Sequence, residues 1–222
     1  MIPETLSRQL AHLVSASGAA RPLVAIAGPV ASGKTTLARA IAAAHGSEAL
    51  STDEYFPDYA TIPRIERDEP RHADLDRLAA DLESLKRGRG TRVPVWSFFE
   101  NRRVKDRELT PGAMVVIEGL FALHPALRAL IDLGVFVDAP VAIRRERFVA
   151  RSAEGERGFS VAEAEAHFEE VAEPTLWRHA PSYEPQASCR MEQDGAGGFR
   201  VVWSAADADT LGDSVDAADP NG

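Results

Sequence analysis

One stretch near the start of the chain constrains the fold more than any other. Residues 23–36 read LVAIAGPVASGKTT, in which an apolar run leads into a glycine-bearing turn and then into a helical pattern. The turn fits G-x-x-x-x-G-K-[ST] from Gly28 to Thr35. Glycines let backbone N–H groups curl around an anion, and the helix that begins near Lys34 directs its positive dipole end at the same point. The stretch therefore predicts a strand, a phosphate-binding loop and a helix.

This pattern indicates a site for a nucleoside triphosphate. Lys34 can reach the β- and γ-phosphates, and the Thr35 hydroxyl can bind Mg²⁺. An ordinary glycine-rich turn that happens to carry a lysine is the alternative, but the strand before the motif and the helix after it favour the phosphate loop. The residues assigned to nucleotide binding are Gly28, Ala31, Ser32, Gly33, Lys34, Thr35 and Thr36.

The bulk composition narrows the class of protein. A chain of 222 residues predicts one domain, placed at residues 1–204. A net charge of −9 argues against nucleic acid or an anionic membrane as a partner. The single cysteine, Cys189, excludes a disulfide framework, and no segment has the length or the pattern of a membrane span or signal peptide. A cytoplasmic protein is expected, and the oligomeric state stays open, a homo-oligomer included.

Two carboxylates are predicted at the carboxyl ends of strands, where open α/β sheets bind ligands. Asp53 follows a short predicted strand, Glu48–Ser51, and can accept a proton from a substrate hydroxyl or hold Mg²⁺ through water. A role as a turn or helix cap is an equal alternative. Glu118 ends the apolar run Met114–Ile117, where a buried carboxylate needs a metal or a partner, and Mg²⁺ is favoured over a structural ion pair.

An arginine-rich segment, Val141–Arg157, is the candidate lid, placed at about residues 144–160. A solvated basic face of a helix is the alternative. In an acidic protein that binds a triphosphate, such arginines would stabilise the phosphoryl group during transfer.

The remaining patterns complete an α/β architecture, a mostly parallel sheet with helices on both faces. A helix is predicted over about residues 3–17, an edge strand at Val93–Phe98, and a helix over Ser160–Trp177 that Pro174 kinks or ends. A connector is expected at Pro181–Pro185. A small hairpin of Ala187–Met191 and Phe199–Trp203 and an acidic disordered tail at 205–222 close the chain.

Several segments occur in a familiar order. They are GPVASGKTT, STDEYF, the DEP…DLD stretch, VPVWSF, VVIEGLFAL, VFVDAP and the arginine-rich run ending in ERG. In this combination the chain resembles the uridine kinase-like branch of the P-loop kinases, relatives of phosphoribulokinase and bacterial pantothenate kinase, over roughly residues 22–191.

The resemblance implies an ATP-dependent kinase that acts on a hydroxyl of a small metabolite and uses Mg²⁺. It places Asp53 on the catalytic aspartate, and Thr35 and Glu118 on the magnesium positions. Arg151 and Arg157 match lid arginines and, with Lys34, complete the catalytic set.

The chain departs from the family pattern where the substrate is read. Uridine–cytidine kinases usually have tyrosine at the place of Trp96, histidine at that of Asn101, and commonly aspartate at that of Arg71. These three residues and Arg103 are the candidate acceptor-binding set. Uridine or cytidine is the first candidate acceptor, with altered specificity expected.

Other functions compete with this one. A GTPase-like switch would need an N-K-x-D motif, which the sequence lacks. A nucleotide-binding protein without chemistry, a nucleoside monophosphate kinase, and a kinase of a sugar, sugar phosphate or pantothenate-like alcohol stay open.

Overall fold

The apolar runs of the sequence form a sheet whose central strand leads into the phosphate loop. The computed structural model describes residues 2–16, 20–196 and 198–204. Its strands are β1 Leu23–Ala27, β2 Ala49–Ser51, β3 Thr91–Ser97, β4 Arg102–Leu109, β5 Val115–Gly119, β6 Leu133–Asp138, β7 Cys189–Gln193 and β8 Phe199–Ser204. Its α-helices are α1 Glu4–Ala16, α2 Lys34–Ala44, α3 Leu75–Lys86, α4 Val141–Ala153, α5 Val161–His167 and α6 Glu173–Tyr183.

The main sheet has the order β2-β5-β1-β6-β7-β8. Its first five strands are parallel and β8 runs antiparallel to β7, so the predicted mostly parallel sheet and C-terminal hairpin are confirmed. Glu118 pairs in register with Ile26 on one side and with Ser51 on the other. The register therefore brings the ends of β1, β2 and β5 to one edge of the sheet.

Side chains of β1 alternate between two cores, one on each face of the sheet. Leu23 and Ala25 pack with α3 and α6, whereas Val24 and Ile26 pack with α1 and α2. All five residues of β1 are buried because helices cover both faces. The helix predicted from residue 3 is present as α1; residue 17, its predicted end, lies outside the described residues.

Two prolines near the C-terminus, Pro174 and Pro181, were predicted to interrupt helical structure. Before Pro174 the helix widens into a π turn, Phe168–Ala172, and resumes at Glu173, so the predicted kink is a change of helical pitch. The connector predicted at Pro181–Pro185 is wrong, because α6 continues through Pro181 to Tyr183. Tyr183 is buried in the core, and its packing keeps this last turn helical although Pro181 donates no hydrogen bond.

The predicted edge strand belongs to a separate two-stranded sheet. β3 pairs antiparallel with β4, a strand that the sequence did not reveal. The residues of β4, RRVKDREL, are mostly charged and exposed, so they lack the apolar alternation that marks a half-buried strand.

None of the helices in the described ranges has the length and apolar character that a membrane crossing requires. The single domain over 1–204 stays a prediction. The predicted disordered tail, 205–222, lies outside the described residues.

Candidate active site

The loop between β1 and α2 is shaped by positions that a side chain would disrupt. A Cβ at Gly28 would overlap the backbone oxygen of Val137, and one at Gly33 would overlap the amide of Gln193. Gly33 has a left-handed φ of 92° and Ala31 one of 58°. This backbone turns successive N–H groups toward one point at the start of α2, the arrangement that binds a phosphate.

Lys34 is buried at the start of α2, and its Nζ donates a hydrogen bond to the backbone oxygen of Pro29 at 3.1 Å. Burial lowers the pKa of Lys34 from its ordinary value, whereas the nearby carboxylates of Glu118 and Asp53 act to raise it. The ammonium group therefore lies among the two carboxylates that the sequence selected, held by the loop itself.

Asp53 lies in a 3₁₀ turn, Thr52–Tyr55, that follows β2 directly. The capping hydrogen bond of this turn is made by Ser51, whose Oγ accepts from the backbone N–H of Asp53 at 3.3 Å. The side chain of Asp53 is thus not the cap that the sequence left as an alternative. Among the described residues its Oδ1 has no hydrogen-bond partner although the atom is buried.

Glu118 is the second buried carboxylate, and its Oε2 likewise lacks a hydrogen-bond partner within the described part of the chain. Burial, with Glu118 as the second cause, raises the pKa of Asp53 to about 6, and Lys34 opposes the shift. Two buried carboxylates with unused oxygens are costly in isolation and indicate a cation or proton donor between them.

The residues present fit Mg²⁺. Thr35, Asp53 and Glu118 all line one cleft and offer a hydroxyl and two carboxylates, the oxygen ligands that this ion prefers. No group of three or more His, Cys, Asp or Glu that could hold a metal occurs in the described ranges. The remaining ligands would come from the triphosphate and water, as Mg²⁺ sites in phosphoryl transferases commonly require.

The cleft that these residues share has a volume of about 510 Å³. The phosphate loop forms one wall, with Ala31, Gly33, Lys34, Thr35 and Thr36 contributing. Gly28 and Ser32 support the loop from behind, and Ser32 is fully buried. Trp96, Phe98, Arg151 and Arg157 line the cleft as well. The sequence-selected residues thus meet in one space large enough for a nucleotide and a small acceptor.

Both lid arginines of the sequence-based prediction reach this cleft. The Arg157 guanidinium stacks between the rings of Phe98 and Phe148, at 5.1 and 4.5 Å from their centroids. Burial lowers the pKa of Arg157, and Asp53 opposes this shift. Arg151 is half exposed, with its Nε 3.8 Å from Glu156.

The other arginines of α4 have structural contacts. Arg144 is buried and forms an ion pair with Glu173. Arg145 pairs with two glutamates of the following helical segment, and Arg147 donates a hydrogen bond to Gln193. The expectation that the whole arginine-rich segment serves the phosphoryl group is therefore narrowed to Arg151 and Arg157.

The predicted acceptor residues are not all brought together. Trp96 lines the cleft, and its ring lies 5.1 Å from that of Tyr59. Asn101 sits at the β3–β4 turn with a φ of 53°, where its backbone oxygen accepts from the N–H of Tyr59 at 3.0 Å. Arg103 lines a neighbouring cavity of about 340 Å³ and pairs with Asp106.

Arg71 was predicted to bind the acceptor, but the structure places its side chain at the surface. Its side chain is 62% exposed and pairs with Glu66 at 2.8 Å, and it is absent from the described lining of the cleft. Its part in acceptor choice stays a prediction without a contact to support it. The inward carboxylate of the same segment is Asp68, which accepts from the Tyr59 hydroxyl at 3.0 Å and lies 3.4 Å from His167.

Sequence reasoning also missed five charged residues that line the cleft. Only two carried a signal: Glu54 directly follows Asp53, and Arg39 follows Thr35 by one helical turn. The five residues are Arg39, Glu48, Glu54, Arg107 and Glu156.

The chain is similar to known kinases in sequence and in fold. The model of the phosphoribulokinase/uridine kinase family matches residues 23–176. A uridine kinase of Shewanella amazonensis is 32% identical over 166 residues, which cover 68% of this chain and 78% of that protein.

Two solved structures share the fold. A putative fructose transport system kinase from Silicibacter sp. aligns with a TM-score of 0.68 at 22% identity, covering 82% of this chain and 95% of that one. Phosphoribulokinase from Rhodobacter spheroides aligns with a TM-score of 0.56 at 14% identity, covering 84% and 76%. These structural alignments show a common fold, and at such low sequence identity they leave the acceptor open.

Proposed function

The chain belongs to the phosphoribulokinase/uridine kinase family of ATP-dependent phosphotransferases, and on this premise we propose that it transfers the γ-phosphoryl group of ATP to a hydroxyl of a small metabolite. One observation carries the proposal. Asp53, a buried carboxylate with an unused oxygen, lines the same cleft as Lys34 of the phosphate loop.

In this reaction Asp53 is the general base. It takes the proton of the acceptor hydroxyl as that oxygen forms a bond to the γ-phosphorus, and the bond to the bridging oxygen of ADP breaks. A pKa raised to about 6 leaves Asp53 ionised at neutral pH and a better proton acceptor than an ordinary aspartate. Bound Mg²⁺ would neutralise charge on the β- and γ-phosphates, held by Thr35 and Glu118 with Asp53 nearby.

Lys34, Arg151 and Arg157 supply the positive charge that the transferring group needs. Lys34 is fixed by its hydrogen bond to Pro29, and Arg157 by its two aromatic rings, so both are in place before the reaction. The residues assigned to ATP are those of the loop, from Gly28 to Thr36.

Uridine or cytidine is the first candidate acceptor, because the Shewanella relative bears the name uridine kinase. Trp96, Asn101 and Arg71 differ from the family pattern, so we expect altered specificity. A sugar, a sugar phosphate or a pantothenate-like alcohol are the alternative acceptors. A non-catalytic nucleotide-binding protein is the alternative from another class.

The test is acceptor-dependent release of ADP from ATP with Mg²⁺. A panel of nucleosides, sugars, sugar phosphates and pantothenate-like alcohols is compared between the unmodified protein and Lys34→Ala. We expect at least one acceptor to raise ADP release, with the phosphorylated product seen by mass spectrometry, and Lys34→Ala to remove most of it. Binding of ATP without turnover on any acceptor would favour the non-catalytic alternative.

A further inference from the structure

One arm of the cleft is lined by charged side chains that the proposed reaction does not use. We call it the charged arm, and it consists of Arg39, Glu48, Glu54 and Arg107. It begins next to the proposed base, because Glu54 follows Asp53 in the same 3₁₀ turn. An acceptor whose hydroxyl meets Asp53 would therefore extend its neighbouring groups into this arm.

The charge of Arg107 is compensated within the arm. Arg107 contacts Glu48 at 2.6 Å and lies 3.9 Å from Glu54. Its guanidinium is thus already matched by carboxylates, and a phosphate or carboxylate of an acceptor would have to displace one of them or lie beside both. Around Arg107 this arrangement disfavours an anionic ligand, since like charges in contact cost free energy.

The carboxyl group of Glu54 can accept a further hydrogen bond. Its side chain is 17% exposed, and its buried Oε2 finds no hydrogen-bond partner in the described residues. A hydroxyl both donates and accepts, so it suits this carboxyl group in either protonation state. Arg107 beside it offers further donors to the same or a neighbouring hydroxyl.

The same cleft also has an apolar surface. Trp96 is buried by its contact with Tyr59 and still lines the cleft, as does Phe98. Aromatic faces bury the C–H surface of a ligand without demanding hydrogen bonds from it. The cleft therefore pairs an apolar wall with closely spaced donors and acceptors, which matches a ring or chain bearing several hydroxyl groups.

We propose that the acceptor is an uncharged polyhydroxylated compound, a free sugar or sugar-like polyol, and that Glu54 is a specificity-determining residue that binds the hydroxyl next to the one phosphorylated. Arg107 positions Glu54 and contributes donors of its own. This inference rests on the proposed kinase function and names the acceptor class for the same cleft.

The first experiment compares kcat/KM across four classes of acceptor in the ADP-release assay: free pentoses, hexoses and their polyols; uridine and cytidine; phosphorylated pentoses; and carboxylate-bearing alcohols. We expect a member of the first class to exceed every member of the others by 10-fold or more. A nucleoside or an anionic acceptor as the best substrate would overturn the inference and leave the kinase function standing. If no acceptor of any class stimulates ADP release, both the inference and the proposed kinase function are overturned.

The second experiment uses Glu54→Gln, which keeps the shape of the side chain but changes its hydrogen bonding. The KM for the best free sugar should rise about 10- to 100-fold, the range of a hydrogen bond to a charged group, with the KM for ATP unchanged. Glu108→Gln is the matched control. Glu108 follows Arg107 in β4, but its side chain is 74% exposed and pairs with Arg92.

Folding of both variants is checked by thermal unfolding, and Glu54→Asp, which keeps the charge but shortens the reach, replaces Glu54→Gln if that variant unfolds. A sugar KM that changes less than threefold in the folded Glu54 variant, as in Glu108→Gln, would overturn the role of Glu54.

Discussion

Arg157 lies in the loop that follows α4, and its guanidinium carbon is 4.5 Å from the centroid of the Phe148 ring. Phe98, at the turn of the β3–β4 hairpin, covers its other side, and the backbone N–H of Gly158 donates to the backbone oxygen of Phe98 at 3.0 Å. The loop is thereby fastened to the hairpin. The cation is held toward Asp53 before any ligand binds, which removes the entropy cost of ordering a long side chain in the transition state.

We predict that Arg157→Lys lowers kcat about 10³-fold or more with little change in the KM for ATP. Lysine keeps one positive charge but loses the planar group that stacks on two rings and can bond two phosphate oxygens at once. Arg145→Lys is the control, because Arg145 lies on the same segment and pairs with glutamates away from the cleft. Steady-state kinetics of both variants decide, and equal kcat values for them would contradict the role of Arg157.

Asp53→Asn should lower kcat about 10²- to 10⁴-fold while ATP still binds. Asparagine keeps the shape but accepts a proton poorly and removes a charge beside Lys34. Turnover and ATP affinity are measured separately, by ADP release and by calorimetry. Asp76→Asn, on the exposed side of α3, is the control and should leave both unchanged. An unchanged kcat with only a lower melting temperature would show that Asp53 is structural and that the base lies elsewhere.

Local sequence patterns predicted the parts of the site that the backbone builds. The phosphate loop, Asp53 and Glu118 each sit at the end of an apolar run, and parallel strands bring such ends to one edge of the sheet. The strand order could not be deduced, yet any order that keeps β1, β2 and β5 next to one another in the sheet joins these three features. Their meeting in one cleft therefore depended little on details that the sequence hides.

The residues on the acceptor side of the cleft could not be predicted in the same way, because the segments that carry them have no regular hydrophobic repeat. Arg71 and Asp68 lie three residues apart in a run of single 3₁₀ turns, where neither 3.6 nor 2 residues per repeat decides which side chain points inward. The family pattern selected Arg71, whereas the backbone turns Asp68 inward and leaves Arg71 exposed. Arg107 was hidden for a related reason, because β4 is charged throughout and gives no strand signal.

Gly119→Ala should lower the free energy of unfolding by about 3 kcal/mol or more. Gly119 has a φ of 145°, and a Cβ there would overlap Oγ1 of the fully buried Thr52, so strain and steric overlap add. Gly46→Ala is the matched control, with a φ of 60° and no heavy atom within 4 Å of the added Cβ, and should cost about 1 kcal/mol. Urea unfolding of both variants measures the difference, and equal costs would contradict the predicted clash.

Asp68→Asn should destabilise the protein by about 1–3 kcal/mol at pH 7, with a smaller difference in acid. Burial acts to raise the pKa of Asp68, but His167 and the Tyr59 hydroxyl outweigh it and hold the pKa below its usual range. A carboxylate with a depressed pKa in the folded state stabilises that state above its unfolded pKa of about 3.9 and loses this contribution as pH falls through the folded value.

Unfolding free energies of the two proteins between pH 3 and pH 7 test this linkage. The gap between wild type and Asp68→Asn should narrow as pH falls below about 4. Asp76→Asn, whose side chain is exposed, should show no comparable gap. A gap that widens in acid would contradict the assignment.

The acceptor preference should move when the two altered positions of the β3–β4 segment are restored to the family pattern. We expect weak activity of the unmodified protein on uridine and cytidine, and a rise of about 10-fold in kcat/KM for these nucleosides in the double variant Trp96→Tyr with Asn101→His. Trp96 forms the aromatic wall of the cleft, so tyrosine retains the stacking face and adds a hydroxyl that can bond a base. Histidine at position 101 tolerates the left-handed φ of 53° better than most residues.

Arg71→Ala is measured beside it, because the same family pattern selected Arg71 and its side chain pairs with Glu66 at the surface. A site built from hydrogen bonds rejects a mismatched acceptor steeply, so a residue that reads the acceptor changes kcat/KM for one class more than for another. If the unmodified protein phosphorylates uridine as efficiently as any other compound tested, these substitutions do not set acceptor choice. If the double variant gains nothing on uridine while Arg71→Ala changes its rate, the selecting residue lies in the 3₁₀ segment and not in the hairpin.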